Sequence, residues 1–300
     1  MRIAVLSRGG NYTSDRLVEE AKKRGHEVAI VSYTECYGTI EQSKPIVRFE
    51  GRDLEKFDAI IPRIAQSFTK YGTAVVRQFE LQGAYTTASS IAISRSRDKL
   101  RSMQLLARAG VGVPKTLFAR ETSAFEDVIE QAGGAPLIIK VTRGTQGNGV
   151  VLAETAKAAK AVMQAFFVEG VSFLIQEFVK ESAGTDIRAV VVGNKVVASY
   201  MRQSLDEDFR SNIHQGGVGK PIKLEDDERR TAVKAAKAMG LPICGVDMMR
   251  SERGPLVLEV NSSPGLGGVE KTTGRNVAEK IIEYIELNAK RRNKKDRVGA

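Results

Sequence analysis

Two apolar segments, "CGVDMMR" (residues 244–250) and "PLVLEVN" (residues 255–261), are joined by only four residues. So short a link, with Gly254 in it, forces the two to fold back on each other as an antiparallel hairpin. A three-residue loop, Glu252-Arg253-Gly254, pairs Ser251 with Pro255, and therefore Asp247 with Glu259. Paired residues share a face with Cβ atoms about 5 Å apart. Asn261 lies two residues along on that face. The hairpin thus sets two carboxylates and an amide in an apolar sheet, where an unpaired ion is strongly destabilising. Two readings resolve the conflict. An all-oxygen set without His or Cys suits Mg²⁺ or Mn²⁺. Mg²⁺ takes the rest of its shell from water and phosphate, which points to a nucleoside triphosphate. Alternatively, Arg188, Arg202 or Arg210 neutralises the acids through salt bridges.

Other segments carry the chemistry a triphosphate requires. Lys140 ends the apolar run "PLIIKV", directly before the loop "TRGTQGNGV" with Gly144, Gly147 and Gly149. Such glycines let backbone N–H groups turn toward an anion, and the lysine adds a point charge. The spacing is not that of a P-loop. Lys99 is a second cation of this kind. "QEFV" (residues 176–179) offers backbone groups and an apolar wall for a base, with Asp186 beyond it for a ribose. Arg188, Arg202 and Arg210, with Asn212, are candidates to neutralise charge on a transferred phosphoryl group. Each feature alone fits an ordinary strand, turn or solvated charge; the combination points to ATP.

Strand and helix patterns alternate through the first part of the chain. "RIAVLS", "HEVAIVSY" and "FDAIIPRI" read as strands, and "TAVVRQFELQG" as a helix closing at Gly83. This predicts a parallel-sheet α/β unit over residues 1–95. It lacks GxGxxG after its first strand, which disfavours a dinucleotide site. An amphipathic helix follows over residues 96–110, with Leu100, Met103, Leu106 and Ala107 on one face. From there the pattern is α+β, including a hairpin over residues 186–202 about Gly193-Asn194 and a closing helix over residues 277–287.

The chain has 300 residues and a net charge of +10, which fits an acidic ligand such as a nucleotide. No apolar run approaches the roughly 20 residues of a membrane span, and the N-terminus does not read as a signal peptide. Two cysteines and two histidines form no zinc pattern or disulfide framework, which fits a reducing cytoplasm. The tail "KRRNKKDR" (residues 290–297) holds six bases and one acid, and reads as a solvated, disordered segment or a contact for RNA.

The ordered series Lys99, Lys140 with its glycine loop, "QEFV", "DIR", Asp247 and "EVNSSPG" resembles the ATP-grasp ligases. Within them, "SRDKLRSMQLLAR", "GAPLIIKVTRGTQGNGVVLAET", "DFRSNIHQGG" and "GPLVLEVNSSPGL" closely resemble the RimK family of glutamate ligases. The resemblance covers residues 1–287. It implies an N-terminal α/β domain (1–95), a central ATP-grasp lobe (96–180), a C-terminal lobe with the metal hairpin (181–287) and a basic tail (288–300). It implies that Lys99 and Lys140 contact ATP phosphates, that Glu177 and Phe178 hold adenine through their backbones, and that Asp186 holds the ribose. Arg210, Ser211 and Asn212 would line the nucleotide and acyl-phosphate region. Asp247, Glu259 and Asn261 would bind two Mg²⁺ or Mn²⁺, with Glu259 bridging. The implied reaction joins L-glutamate to the C-terminus of a small-subunit ribosomal protein, in a cytoplasmic homo-oligomer. Two alternatives stay open: a related ligase acting on a carrier protein or small peptide, and a nucleotide-binding regulator associated with RNA or ribosomes.

Overall fold

The computed structural model describes residues 1–42, 45–120, 122–142, 149–204 and 218–290. Strand β1 (Arg2–Leu6) leads through helix α1 (Tyr12–Lys23) to β2 (Glu27–Val31). A small antiparallel sheet follows, β3 (Tyr37–Thr39), β4 (Ile46–Phe49) and β5 (Arg52–Asp53). The chain then returns through β6 (Ala59–Pro62), α2 (Thr69–Leu81), β7 (Tyr85–Thr86) and α3 (Ser90–Arg97). β1, β2, β6 and β7 form a parallel sheet in the order β2-β1-β6-β7. Its central strands are apolar on both faces because both are covered. Ile3, Val5, Ala59 and Ile61 join one core, with Leu17 of α1. Ala4, Leu6 and Ile60 join the other, with Val76 and Phe79 of α2. The small sheet was not evident from sequence: its strands are too short to show a period.

The helix expected over residues 96–110 is divided: Ser96 and Arg97 end α3, and α4 (Lys99–Arg108) starts anew after Asp98. Asp98 between them is extended (φ −100°, ψ 104°), and its carboxylate accepts the Arg101 N–H at 3.0 Å. That cap breaks the helix and places Lys99 at the first position of the new one. The buried face of α4 runs through Ser102, Met103, Leu105 and Leu106; Ala107 is exposed.

The next lobe comprises β8 (Thr116–Leu117), α5 (Phe125–Gln131), β9 (Leu137–Val141), β10 (Val150–Ala153), α6 (Ala156–Val168) and β11 (Phe173–Glu177). Its antiparallel sheet has the order β10-β9-β11-β8. Its core, built on Phe125, Leu137, Ile139, Met163 and Ile175, is separate from the other two. The lobe enters on β8 and leaves on β11, which pair with each other. The Glu177 N–H donates to the Lys115 carbonyl at 3.0 Å at that junction.

The last lobe carries β12 (Thr185–Val192), β13 (Lys195–Gln203), β14 (Val218–Pro221), α7 (Asp226–Met239), β15 (Ile243–Met249), β16 (Leu256–Asn261), α8 (Leu266–Thr273) and α9 (Val277–Asn288). Its antiparallel sheet has the order β14-β13-β12-β15-β16. Val246, Met248 and Val260 share a core with Leu106 of α4 and Ile60 of β6, so this lobe packs continuously with the first sheet. Among the described residues no helix is long and apolar enough to cross a membrane.

Candidate active site

The β15–β16 hairpin brings Asp247 opposite Glu259, and Gly245 opposite Asn261. It reaches that register by an unforeseen route. Ser251 exchanges backbone hydrogen bonds with Gly254 (3.2 and 2.9 Å), closing a two-residue turn where three residues had been expected. That turn sets Met249 against Leu256 and Met248 against Val257. A bulge then leaves Leu258 unpaired and shifts the ladder by one, so Asp247 still meets Glu259.

Glu259 and Asn261 share a face, with Asn261 Nδ2 donating to Glu259 Oε1 at 2.8 Å. Gly245 keeps the neighbouring space open: a Cβ there would stand 3.2 Å from Pro264 Cβ and 3.9 Å from both Arg188 Nε and Asn261 Cβ. Asp247 has different company. Arg188, opposite it on β12, donates from Nε at 2.7 Å and from Nη2 at 2.5 Å. Arg202 Nη2 reaches the same carboxylate at 2.8 Å and also binds Asp186. Burial alone would raise the Asp247 pKa, but the two guanidinium groups hold it well below the usual carboxylate range. Burial outweighs Arg202 at Asp186 and pushes that carboxyl up, so of the two acids Asp186 takes a proton first.

The arginine reading is therefore realised for Asp247, while Glu259 has no salt bridge among the described residues. Two other site candidates lie in the same ion-pair network. Asp186 is buried and accepts from Arg202 through both oxygens, which places this ribose candidate in a sheet ion pair. Arg202, a catalytic candidate from sequence, is buried between Asp186 and Asp247 and donates to both.

Lys99 and Lys140, on other elements, lie within the electrostatic reach of Glu259. Lys140 sits on β9, and desolvation lowers its pKa to about 8 against the pull of Glu259, with Lys99 adding repulsion. Desolvation likewise lowers Lys99, with Glu259 opposing. Arg97, at the end of α3, is lowered by burial and raised by the same carboxylate. Gly149 closes the root of the loop beyond Lys140. It has φ +75°, and a Cβ there would lie 2.4 Å from Val141 Cγ2, so only glycine fits. Gly144, Gly147, Arg210, Ser211 and Asn212 lie outside the described residues, as does nearly all of the basic tail. Glu177 and Phe178 lie at the junction where the central lobe leaves. The Glu177 carboxylate accepts the Lys115 N–H and an Arg253 N–H, both at 2.6 Å, joining that junction to the hairpin tip.

The donor chemistry fits a hard cation at Glu259 and Asn261. Asn261 turns its N–H to Glu259, which leaves its Oδ1 and the second Glu259 oxygen without a hydrogen bond among the described residues. Asp247 fits only in part, because both its oxygens accept from arginine. Sequence reasoning passed over Arg63, Arg97 and Gly245. Arg63 carried a usable signal: a lone cation after the apolar run "AIIP", the mirror of Glu259 in its own strand.

Comparison with known proteins gives the family. Residues 1–93 match the RimK PreATP-grasp domain, and residues 96–285 match the RimK-like ATP-grasp domain. The chain belongs to the RimK family of ATP-grasp enzymes. It is an ATP-dependent ligase by that membership. Among its relatives in the RimK family is a protein of Shewanella loihica named "Probable alpha-L-glutamate ligase", 56% identical over 97% of both chains. A protein of the same name from Teredinibacter turnerae is 54% identical over 99% of both. Among solved structures, the ATP-grasp ligase PsnB complexed with a minimal precursor matches with a TM-score of 0.75, at 21% identity over 95% of this chain and 98% of that one. The same ligase complexed with minimal precursor, Mg and ADP matches with a TM-score of 0.74, at 19% identity over 97% of this chain and 98% of that one.

Proposed function

We propose that this protein is a glutamate ligase that activates a carboxylate on an acceptor with ATP and joins L-glutamate to it by a peptide bond. The acceptor carboxylate attacks the γ-phosphorus of ATP, forming a C–O–P linkage and releasing ADP. The glutamate amine attacks the resulting acyl phosphate, and phosphate leaves as the amide forms. The proposed acceptor is the C-terminus of a small-subunit ribosomal protein. The observation that carries the reading is Glu259, a carboxylate free of salt bridges among the described residues, set opposite Asp247 and beside Asn261 and within the electrostatic reach of Lys99 and Lys140.

In this reading Glu259 and Asn261, with Asp247 beside them, hold two Mg²⁺ or Mn²⁺, which would neutralise triphosphate charge. Lys99 and Lys140 bind phosphate oxygens. Arg188 and Arg202 keep Asp247 charged and fixed in orientation. Glu177 and Phe178 present backbone groups to the base at the lobe junction. The protein contributes positioning and charge neutralisation, and no nucleophile of its own is required. Support comes from the names of relatives sharing more than half of their residues, and from a neighbour that holds a precursor together with Mg and ADP.

Incubation with ATP, Mg²⁺, each amino acid and candidate acceptor peptides, followed by mass spectrometry, tests the reading. Gain of whole glutamate residues with matching ADP release is expected. Transfer of another amino acid would overturn it, and so would ADP release independent of glutamate.

A further inference from the structure

The first sheet presents a crevice to this site. Its order, β2-β1-β6-β7, reverses direction between β1 and β6. In open α/β sheets the carboxyl ends of the strands at such a reversal are where ligands settle. Arg63 stands there. It follows β6 directly, and its N–H donates to the Leu6 carbonyl at the end of β1 at 2.9 Å. Its Nη1 donates to the Pro264 carbonyl at 2.7 Å, in the turn that leaves β16 three residues after Asn261. Ser263 Oγ joins the same seam, reaching the Pro62 carbonyl at 3.3 Å. A second guanidinium arrives from α3: Arg97 Nη2 donates to the Ile64 carbonyl at 2.8 Å, next to Arg63 in the chain.

These cations are under-satisfied. Among the described residues each makes one side-chain hydrogen bond, to a backbone carbonyl. The Nε of each is buried with no partner among the described residues, and no described carboxylate lies within salt-bridge range of either. A buried, unpaired charged N–H is costly, and two neighbouring like charges add to that cost. Burial and the proximity of Arg97 lower the Arg63 pKa to about 10, which marks the same deficit. Glu259 acts on Arg97 from a distance but pairs with neither. The phosphates have Lys99 and Lys140. The missing partner is another anion. A guanidinium fork matches a planar carboxylate with two parallel hydrogen bonds.

We propose that Arg63 and Arg97 form the subsite that grips a carboxylate of the incoming amino acid, holding its amine toward the phosphate region beside Glu259. This rests on the ligase reading above and adds which residues select an acidic amino acid. The subsite lies in the first domain, so that domain takes part in substrate choice as well as support.

The test measures steady-state kinetics and ligand-induced stabilisation of the full chain carrying Arg63→Gln, Arg63→Lys or Arg97→Gln. For Arg63→Gln, KM for L-glutamate should rise roughly 10- to 100-fold, with KM for ATP and for the acceptor peptide unchanged. Arg63→Lys retains the charge and loses the fork, so it should recover only part of the loss. L-Glutamate should raise the melting temperature of the wild type more than L-glutamine does. In Arg63→Gln that difference should vanish. Glutamine lacks the side-chain carboxylate and should be used alike by wild type and variant, whereas the α-amide of glutamate keeps it and should show the same rise in KM as glutamate; the reverse pattern overturns the proposal. An unchanged KM for glutamate in folded variants overturns the proposal, and so does a rise in KM for the acceptor alone. If Arg63→Gln does not fold, Arg63→Lys and Arg97→Gln decide. Failure of the wild type to consume glutamate would instead refute the ligase reading itself, so the two failures are distinct.

Discussion

Asp247 and Glu259 stand opposite each other on one face, yet their neighbours assign them different work. Two arginines hold Asp247, whereas among the described residues only an amide holds Glu259. Glu259→Gln keeps the shape and removes the charge. We expect ADP release to fall by about 100-fold or more, with the melting temperature unchanged or slightly lowered, because Glu259 offsets the desolvation of Lys99 and Lys140. Near-wild-type turnover would sink the metal assignment. Lys140 gives a pH signature. Its proton is held less tightly in the folded chain, about 8 against 10.5, because burial disfavours the ammonium. Between those values the unfolded chain binds more protons, so this group's destabilising effect is full below about pH 8 and fades as pH rises toward 10.5. Lys140→Met should stabilise the protein by about 1–3 kcal/mol at pH 7 while weakening ATP binding. The gain should shrink by pH 10, as read from urea midpoints of variant and wild type. The facing carboxylates were legible in the sequence because an ion in an apolar strand demands an explanation. Arg63 and Arg97 were passed over: Arg63 showed only as a lone cation after an apolar run, and the partners of both are distant in the chain.

At the scale of elements, the hairpin shows how a register can be right while its turn is wrong. The two-residue turn and the Leu258 bulge offset each other by one residue. Neither leaves a strong local signal, because bulges arise from packing on neighbouring strands. The split between α3 and α4 was marked by Asp98, a good cap that the amphipathic pattern masked. Two glycines offer a controlled comparison. Gly254 has φ +93° with open space around its missing Cβ, so Gly254→Ala meets backbone strain alone and should cost about 1 kcal/mol. Gly149 has φ +75° and Val141 Cγ2 only 2.4 Å from the added carbon. Gly149→Ala should cost more, about 2–4 kcal/mol, and should also raise KM for ATP through the displaced loop. Denaturation curves with ATP kinetics separate the two; equal costs would contradict the steric account.

At the scale of the molecule, the apolar interior is unevenly shared. The first sheet, α4 and the last lobe share a continuous core, while the central lobe keeps its own. Cooperativity follows shared burial. Chemical denaturation, followed by hydrogen exchange, should therefore show β9, β10, α5 and α6 opening before β1, β6, β12 and β15. A non-hydrolysable ATP analogue with Mg²⁺ should narrow the gap by bridging Lys140 to Glu259. Simultaneous exchange throughout would refute the division. The alternation of strands and helices made the first sheet legible. The partition of cores was not, because it depends on which helix faces which sheet.

The central lobe also has a property of its own as material. Its incoming and outgoing strands lie side by side, with Lys115 and Glu177 joined through their backbones. A segment whose ends meet can be cut out and the gap sealed by a short tether, without stretching what remains. The enzyme is thus a complete scaffold carrying a plug-in jaw, and exchanging that jaw between relatives would change the grip while leaving the anvil intact.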